Sequence, residues 1–555
     1  MKLDYTPATK FFSLWVPRRG ANISDLMNEH GLNFSAPAST PDVACLFTGS
    51  QYAAASFMEY GTPAALAKLD WVGREVARSR AASSDRNIEV PDGEELSPFQ
   101  RADLDYMLDR ERVLCADEPG LGKTPVAIAY ANEIRANRVL VVCPAAIRFQ
   151  WCRRIKQWST MGKKYNVPNL LVYAITSSRY GVVEDAAWTI ISYELARHPG
   201  ILAALRKIDF DLGIFDEIHY AKDIGSKRSR ALWGGGNDPT YQDALADHCR
   251  RIVCLSGTPM PNRPREIYPL ARHLHWDSID WLSEEKFRER FNPSEERTVT
   301  RKDGSTTVIV DERSGRHSEL QNRLRANFMC RHLKREVLSQ LKLPEYDLIT
   351  VDETTAVKAA LKAESMLDID PDNLEGASAE VLGHITTARR LMGEAIAPQC
   401  ADWLKMLIEG GEEKLLLFYW FIENGGIVQD TLGPWLARHN RSMVRIDGST
   451  GAKAKDALVQ KFVTDPRCTL AMGNVLSLGT GTDELQHVCS HALIMEPDWV
   501  PGSNIQCVDR LDRWGQKKTV QADIFVAPNS ISEKVLASAL RKGRVLHNSL
   551  DRRIF

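Results

Sequence analysis

The stretch that decides the fold is DEPGLGKT, residues 117–124. It follows the short apolar run RVLCA and precedes the helical pattern PVAIAYANEI, which is the strand–loop–helix order of a phosphate-binding loop. Gly120 and Gly122 let the backbone wrap so that its N–H groups face phosphates, and the helix N-terminus adds a favourable dipole. We expect Lys123 to reach the β- and γ-phosphates and Thr124 to hold magnesium. The alternative, a glycine-rich turn with an incidental lysine, fits these flanks less well.

A second signal is FDEIH, residues 215–219, at the end of an apolar strand. Phosphoryl transfer to water needs a carboxylate for the magnesium ion and a group that orients and deprotonates the water. Asp216 suits the first role and Glu217 the second. His219 is expected to couple the site across a cleft between domains, although it could also be an ordinary polar loop residue. Adjacent acids at a strand end are common, so this interpretation depends on the phosphate loop upstream.

Around these two sites the chain alternates between apolar strands and helices. The first set of strand candidates comprises RVLVVCP, NLLVYAI, WTIISYE, DLGIFDE and RIVCLSGTP, and the second comprises EKLLLFYW, SMVRIDG, CTLAMG, HALIMEP and VQADIFV. Continuous apolar strands separated by helices indicate parallel sheets covered on both faces. We therefore predict an α/β fold with two parallel-sheet lobes, lobe 1 over residues 91–275 and lobe 2 over residues 401–555.

Two segments lie outside the predicted lobes. Residues 1–90 read as a small α+β accessory module and linker, with FFSLWVP and ACLFTG as strands, helices near residues 50–60 and 63–80, and the polar linker ARSRAASSDRN. Residues 276–400 read as helical protrusions and a linker, with a hairpin candidate at Thr298–Val310. Trp151 lies on an amphipathic helix of lobe 1 and is expected in its core.

Composition limits the class of protein. The chain has 555 residues, 44% of them hydrophobic, which predicts several folded domains. Its formal net charge is −1, so any nucleic-acid footprint must be local. The 11 cysteines form no CxxC pair, which indicates a reducing compartment. With no signal-peptide pattern and no membrane-length apolar run, we expect a protein that is not secreted and is cytoplasmic in a bacterial or viral source or nuclear in a eukaryote.

Ordered motifs from about Leu96 to about Leu536 resemble the Swi/Snf-type ATPases of helicase superfamily two. DEPGLGKT is similar to the family's DE-x-GLGKT, and LSPFQ, ending at Gln100, resembles its adenine-reading motif. LSGTPMPN, with Ser256 and Thr258, resembles the motif that couples hydrolysis to lobe movement. MCRHLKREVLSQL, residues 329–341, resembles a helical protrusion specific to this family. The resemblance implies two RecA-like lobes with ATP and Mg²⁺ in the cleft between them.

The sharpest match in lobe 2 is QCVDRLDRWGQ, residues 506–516, to the family's Q-x-x-D-R-x-x-R-x-G-Q. Arg510 and Arg513 would lie on one helix face and point into the cleft, where a guanidinium from the opposite lobe stabilises the transition-state charge. Gln506 is expected among the coupling residues. The preceding motif departs from the family and reads SLGTGT, residues 477–482, in which Gly481 is expected to contact the nucleotide.

The resemblance implies an ATP hydrolase that translocates on double-stranded DNA, remodelling or reannealing branched DNA or displacing bound protein. We predict phosphate contacts at loop ends, from Arg148 and Ser192 on lobe 1 and from Ser449 and Thr450 on lobe 2. The protein is expected to act as a monomer. Residues 1–90 resemble the HARP-like substrate domains of annealing-helicase relatives and could bind a protein partner.

Two other functions remain open at this point. One is a strand-separating DNA helicase, which needs a wedge, and the hairpin at Thr298–Val310 is the best candidate for it. The other is an ATP-switched clamp or adaptor that acts on a protein–nucleic acid complex such as RNA polymerase. Dependence of ATP hydrolysis on duplex DNA, together with strand displacement, separates the three.

Overall fold

The computed structural model describes residues 1–161, 171–280, 282–300, 306–312, 316–338, 344–365, 379–478, 484–498, 500–513, 515–537 and 539. The strands are β1 (Lys2–Thr6), β2 (Phe11–Pro17), β3 (Asn33–Ser35), β4 (Val43–Thr48), β5 (Arg112–Cys115), β6 (Val139–Cys143), β7 (Val172–Ala174), β8 (Trp188–Ser192), β9 (Phe210–Asp216), β10 (Cys249–Leu255), β11 (Ser294–Thr300), β12 (Thr306–Glu312), β13 (Met329–Cys330), β14 (Glu345–Thr350), β15 (Leu415–Tyr419), β16 (Ser442–Ile446), β17 (Cys468–Asn474), β18 (His491–Ile494) and β19 (Gln521–Val526). The helices are α1 (Ile23–His30), α2 (Gln51–Ala54), α3 (Pro63–Arg78), α4 (Pro98–Leu108), α5 (Lys123–Glu133), α6 (Arg148–Trp158), α7 (Tyr193–Ala196), α8 (Pro199–Leu205), α9 (Lys227–Trp233), α10 (Tyr268–Leu274), α11 (Glu284–Phe291), α12 (His317–Asn327), α13 (Lys334–Val337), α14 (Thr355–Ser365), α15 (Ala379–Glu409), α16 (Ile422–Arg438), α17 (Ala452–Thr464), α18 (Val475–Leu478) and α19 (Pro501–Val508).

Lobe 1 is built on a seven-stranded sheet in the order β13-β5-β10-β9-β6-β8-β7, and every neighbouring pair is parallel. All residues of β6 are buried, and alternate side chains enter different hydrophobic clusters: Leu140 and Val142 join one, while Val139 and Val141 join the other. A strand whose two faces are both covered by helices needs apolar residues at every position. This explains why RVLVVCP is a continuous apolar run.

Lobe 2 repeats this architecture with a six-stranded parallel sheet in the order β14-β19-β18-β15-β17-β16. Its central strand β15 is fully buried, with Leu415 and Leu417 in one cluster and Leu416 and Phe418 in the other. The predicted α/β fold with two parallel-sheet lobes is therefore confirmed. Among the described helices, none is both long enough and apolar enough to cross a membrane.

The N-terminal module is a four-stranded antiparallel sheet in the order β1-β2-β4-β3, packed on α1 and α3. In β2 the buried residues alternate, with Phe12, Leu14 and Val16 facing the core. This is the pattern of a sheet with one covered face. FFSLWVP and ACLFTG form strands as predicted, and β1 and β3 are additional strands that the sequence did not reveal.

The N-terminal module is fixed to lobe 1 through α12. The Glu319 carboxylate on α12 is fully buried and accepts hydrogen bonds from Ser50 Oγ (3.0 Å), Arg290 (2.8 Å) and Arg323 (2.8 Å). Ser50 is the N-cap residue of α2 in the module. Of these three donors only Ser50 belongs to the module, so its hydroxyl links α2 to the buried cluster on α12.

The segment between the lobes differs from its prediction in one respect. Residues 276–400 were expected to be helical protrusions and a linker, yet the segment also contributes an edge strand to each lobe, because β13 pairs with β5 and β14 pairs with β19. MCRHLKREVLSQL therefore begins as a strand of the lobe 1 sheet, followed by the short helix α13. A two-residue strand has no periodicity that a sequence could show. The predicted hairpin is present as β11 and β12, with Thr298 opposite Val308.

Candidate active site

The phosphate-binding loop connects β5 to α5. Gly120 (φ +90°) and Gly122 (φ +79°) both adopt the left-handed conformation, and Gly122 is the N-cap residue of α5. Lys123 is the first residue of the helix, and its Nζ donates to the carbonyls of Asp117 (2.7 Å) and Glu118 (3.3 Å). The ammonium thus lies within the curve of the loop, where the glycine conformations and the helix N-terminus favour an anion.

Gln100 connects helix α4 to this loop. Its Oε1 accepts from the N–H of Ser97 (2.9 Å), and its Nε2 donates to the carbonyl of Leu121 (2.8 Å). A Cβ at Gly122 would collide with the Gln100 amide, so the close approach requires glycine. The amide group retains one further N–H and one lone pair, and its side chain lines the same cleft as Lys123.

Asp216 and Glu217 lie at the carboxyl end of β9. Trp151 Nε1 donates to Asp216 Oδ2 (2.8 Å), and the Glu217 N–H donates to Asp216 Oδ1 (2.9 Å). Burial, together with the charge of Glu217, raises the pKa of Asp216 to about 7. Burial acts on Glu217 in the same direction, but the hydrogen bond and charge of His219 outweigh it and lower the pKa of Glu217 to about 2. Trp151 is in the core as predicted, and its bond to the carboxylate is an additional feature.

Glu217 has an unusual backbone conformation with φ +50°. Non-glycine residues seldom occupy this left-handed region, and they do so mostly where the surrounding structure imposes it. The conformation turns the chain sharply after β9, and the Glu217 side chain lines the cleft.

A chain of side chains leads from Glu217 to lobe 2. His219 Nδ1 lies 3.2 Å from Glu217 Oε2 and 3.0 Å from Ser256 Oγ. Ser256 Oγ accepts from the N–H of Thr258 (3.2 Å), and Gln506 Nε2 of lobe 2 donates to Thr258 Oγ1 (3.2 Å). The four residues predicted to couple the lobes therefore form one continuous path from the acid pair across the interface.

Arg510 and Arg513 also reach the cleft, but from a different local structure than the sequence indicated. Helix α19 ends at Val508, and both arginines lie in the turn that follows it, which we call the arginine turn (residues 509–513). Arg513 Nε donates to the carbonyl of Asp509 (2.8 Å). A Cβ placed on Gly120 would lie 3.0 Å from Arg513 Cα, so the arginine turn packs directly on the phosphate loop.

The two lobes together enclose a cleft of about 520 Å³. From lobe 1 its lining includes Gln100, the loop residues Gly120, Gly122, Lys123 and Thr124, and the acids Asp216 and Glu217; from lobe 2 it includes Gln486, His487, Arg510 and Arg513. Lys123 and Arg513, almost four hundred positions apart in the chain, thus line the same cleft. Gly481, the remaining predicted nucleotide contact, lies outside the described residues.

A buried charged triad next to the loop was not predicted from the sequence. His332 Nδ1 lies 3.1 Å from Asp103 Oδ1 and 3.3 Å from Asp117 Oδ1, and its Nε2 lies 3.1 Å from the carbonyl of Ala81. Burial opposes the charged imidazole, but the two carboxylates outweigh it and raise the pKa of His332 to about 11. The imidazolium therefore anchors Asp117, the first residue of the loop. Nothing in the sequence spacing of these three residues signals that they meet.

Two of the predicted nucleic-acid contacts are corrected by the structure. Arg148 is buried, and its guanidinium donates to the carbonyls of Ala145 (3.1 Å) and Ile175 (2.6 Å). Ser192 is also buried, and its hydroxyl caps α7 by accepting from the N–H of Leu195 (3.3 Å). Both side chains hold lobe 1 together and are not placed to reach a phosphate.

The two candidates on lobe 2 lie at a turn after β16. Ser449 is exposed, whereas Thr450 is half-buried and its hydroxyl accepts from the N–H of Asp447 (3.1 Å). The Ser449 side chain is therefore accessible from solvent, and Thr450 stabilises the turn on which Ser449 lies.

The fold and the cleft define a two-lobed protein of helicase-like architecture, with a phosphate loop and an acid pair on lobe 1 and two arginines supplied by lobe 2. A phosphate loop, a carboxylate pair and an arginine facing one cleft are the groups that phosphoryl transfer requires. Comparison with known proteins makes the class narrower.

Residues 99–362 match the SNF2-related domain family. The chain is 27% identical over 471 residues to the DNA annealing helicase and endonuclease ZRANB3 of Bos taurus, covering 82% of this chain and 41% of that protein. It is also 27% identical over 471 residues to the SWI/SNF-related matrix-associated actin-dependent regulator of chromatin subfamily A-like protein 1 of Xenopus tropicalis, covering 82% and 45%. A solved structure, the Sulfolobus solfataricus SWI2/SNF2 ATPase core in complex with dsDNA, aligns over 85% of this chain and 99% of that one, at 15% identity and a TM-score of 0.37.

The resemblance to the Swi/Snf-type ATPases is confirmed, and residues 99–362 are the part of the chain that matches the SNF2-related domain. It spans less than half the length of the two curated relatives described above.

Proposed function

We propose that the protein is an ATP-dependent translocase on double-stranded DNA that remodels or reanneals branched DNA or displaces bound protein. The observation that carries the proposal is the single cleft in which Lys123, Glu217 and Arg513 meet. The DNA substrate is supported by the relatives, several of which are named DNA annealing helicases. We propose that it acts as a monomer, because the described lobes complete the cleft within one chain.

ATP would bind with its phosphates in the loop, held by Lys123 and by the N–H groups at the start of α5. Thr124 and Asp216 both line the cleft next to Lys123, and their hydroxyl and carboxylate oxygens are the donors that Mg²⁺ prefers. When bound there, Mg²⁺ would neutralise phosphate charge. Gln100 has a further donor and acceptor for the adenine edge.

Hydrolysis would use the ionised Glu217 as the group that orients the attacking water and accepts its proton. Arg510 and Arg513 would stabilise the charge that accumulates on the phosphoryl oxygens in the transition state. Because these arginines belong to lobe 2, the barrier is lowered only while the cleft is closed.

Movement would follow from the path between the acid pair and lobe 2. Loss of the γ-phosphate changes the surroundings of Glu217, and His219, Ser256, Thr258 and Gln506 form the contacts through which lobe 2 responds. Each lobe would hold the duplex mainly through phosphates, so that tracking is independent of sequence. On lobe 2, Ser449 is the exposed candidate for such a contact.

We expect ATP hydrolysis to be stimulated several-fold by duplex or forked DNA and much less by single-stranded DNA, because a translocase couples turnover to the strand pair it tracks. Steady-state hydrolysis rates with the three DNA forms at matched phosphate concentration test this. A triplex-displacement assay then reports translocation, and a forked-duplex assay reports strand separation.

The same measurements separate the alternatives. Strand displacement on simple duplexes would favour a helicase in which the β11–β12 hairpin acts as a wedge. Hydrolysis that no DNA form stimulates would contradict the translocase and favour the ATP-switched clamp or adaptor.

Gln100→Ala is expected to raise KM for ATP by roughly tenfold, which is the effect of losing one or two hydrogen bonds. If Gln100 recognises adenine, the KM for GTP changes much less, so the preference for ATP shrinks. Arg101→Ala, a substitution at the next residue on α4, serves as the control because Arg101 does not line the cleft. Equal losses for both nucleotides would mean that Gln100 only holds the loop.

A further inference from the structure

The segment after β13 is bonded to the phosphate loop and to the coupling motif. The Arg331 guanidinium donates to the carbonyl of Ala116 and to that of Gly257 (3.1 Å). The backbone N–H of Lys334 donates to Glu118 Oε2 (2.7 Å). Residues 331–334 are therefore fixed to lobe 1 beside the phosphate loop.

The Lys334 side chain then crosses to lobe 2. Its Nζ contacts the carboxylates of Asp509 and of Asp512 (2.7 Å), and all three residues are buried, with 7%, 6% and 5% of their surfaces exposed. Burial opposes the charge on Lys334, but the two carboxylates outweigh it and raise the pKa of the ammonium. Charged groups this deeply buried require a partner, so the lysine and the two acids depend on one another.

The backbone of the two acids contributes to the position of Arg513. The carbonyl of Asp509 accepts from Arg513 Nε (2.8 Å), and Asp512 is the residue before Arg513 in the chain. The carbonyl of Asp512 would lie 3.3 Å from a Cβ on Gly120, so it is packed against the phosphate loop. Anything that holds the two acids in place also holds Arg513 at the cleft.

We propose that Lys334 is a positioning residue whose ammonium holds the arginine turn of lobe 2 against the phosphate loop of lobe 1, so that Arg513 enters the cleft. Lys334 does not line the cleft itself and acts through the arginine turn. The proposal rests on the proposed ATP hydrolysis for its kinetic test, but its structural content, closure of the lobes, can be measured without hydrolysis.

A second ion pair between the lobes provides a matched control. Arg153 of α6 lies 2.9 Å from Asp456 of α17, and both side chains are largely exposed, at 54% and 43%. Exposed pairs are screened by salt and contribute little to stability. Arg153→Met removes a cross-lobe pair without a buried charge, whereas Lys334→Met leaves two buried carboxylates without their cation.

The kinetic test measures kcat and KM for ATP in Lys334→Met, Lys334→Arg and Arg153→Met. We expect Lys334→Met to lower kcat by about 10- to 100-fold, the effect of displacing a catalytic group by about 1 Å, with little change in KM because the loop still binds ATP. Lys334→Arg should recover much of kcat, and Arg153→Met should match the wild type. The exchange variant Lys334→Asp/Asp512→Lys restores the opposite charges and is expected to exceed Lys334→Met in kcat.

The structural test places fluorophores at Tyr180 on lobe 1 and Met406 on lobe 2, both exposed, and measures their separation with ADP and Mg²⁺. We expect Lys334→Met to shift the distribution to longer distances and Arg153→Met to leave it unchanged.

If the wild type hydrolyses no ATP, the proposed function fails, while the distances still decide the role of Lys334. If circular dichroism shows Lys334→Met to be unfolded, Asp512→Asn, which retains Asp509 as partner, must show the same lower kcat and longer distances. Wild-type kcat together with wild-type distances in the folded variant would overturn the proposal.

Discussion

Glu217→Gln is expected to lower the rate of ATP hydrolysis by about 10³-fold, within the range that general-base catalysis supplies, and to leave nucleotide binding intact. The amide has nearly the same shape as the carboxylate, so the strained turn at φ +50° and the contact with His219 can persist. It cannot accept a proton from water. Because the pKa of Glu217 is lowered to about 2, the wild-type group is ionised across the whole neutral range, and the substitution removes a charge that is always present.

The measurement combines single-turnover hydrolysis with binding of a fluorescent ATP analogue. Lys123→Ala is the informative companion, because it removes the ammonium from the phosphate loop and should lose binding as well as turnover. The same experiment distinguishes the role of Asp216 from that of Glu217. The hydrolysis rate of Asp216→Asn should depend on the Mg²⁺ concentration. Full turnover in Glu217→Gln would remove Glu217 from the chemistry and assign the water to another group.

The parts of the fold that the sequence predicted correctly are those encoded locally. The central strands β6 and β15 are continuous apolar runs because both faces of their sheets are covered, and a run of this kind is visible in five consecutive letters. The phosphate loop is also encoded locally, because the positive φ angles of Gly120 and Gly122 favour glycine at those two positions. The four residues expected to couple the lobes, His219 from the FDEIH segment and Ser256, Thr258 and Gln506 from the resemblance, are in contact in the structure, while their coupling role stays a prediction.

Features that depend on distant parts of the chain were not predictable in this way. Arg148 looked like a phosphate contact because a basic residue follows a strand end, but the carbonyl of Ile175, 27 positions away, accepts its hydrogen bond. The meeting of Asp103, Asp117 and His332 joins three separate elements, and no spacing rule relates them. Edge strands such as β14 carry exposed polar residues beside apolar ones, so neither the helical nor the strand period dominates.

The arginine turn was predictable from the sequence in one respect and not in another. The motif identified Arg510 and Arg513 correctly as residues that face the cleft, but the helix expected to carry them ends at Val508. In the turn, each arginine is fixed by a backbone carbonyl four residues earlier, Gln506 for Arg510 and Asp509 for Arg513. The i, i+4 bonds preserve the helical direction of the side chains after the helix has ended, which is why the simpler prediction still located them.

Arg513→Ala is expected to lower kcat by about 10³-fold or more, the range for an arginine that stabilises phosphoryl-transfer charge, with a modest effect on KM. The reason is geometric. The Arg513 backbone packs on Gly120, so its side chain extends from a point next to the phosphate loop. Ground-state binding of ATP, in contrast, is expected to depend on Lys123 and the loop N–H groups. A group needed only when charge develops lowers kcat and kcat/KM together when it is lost.

The control is Arg467→Ala, because Arg467 is an exposed arginine of lobe 2 paired only loosely with Asp465 at 3.6 Å, and its loss should leave turnover unchanged. Arg513→Lys keeps the charge but not the planar guanidinium, so it should recover only part of the rate. If Arg513→Ala kept its kcat and instead raised KM, the arginine would be a ground-state ligand. Lobe 2 would then bind the nucleotide without timing its hydrolysis, and the link between lobe closure and chemistry on which the proposed movement depends would have to come from Arg510.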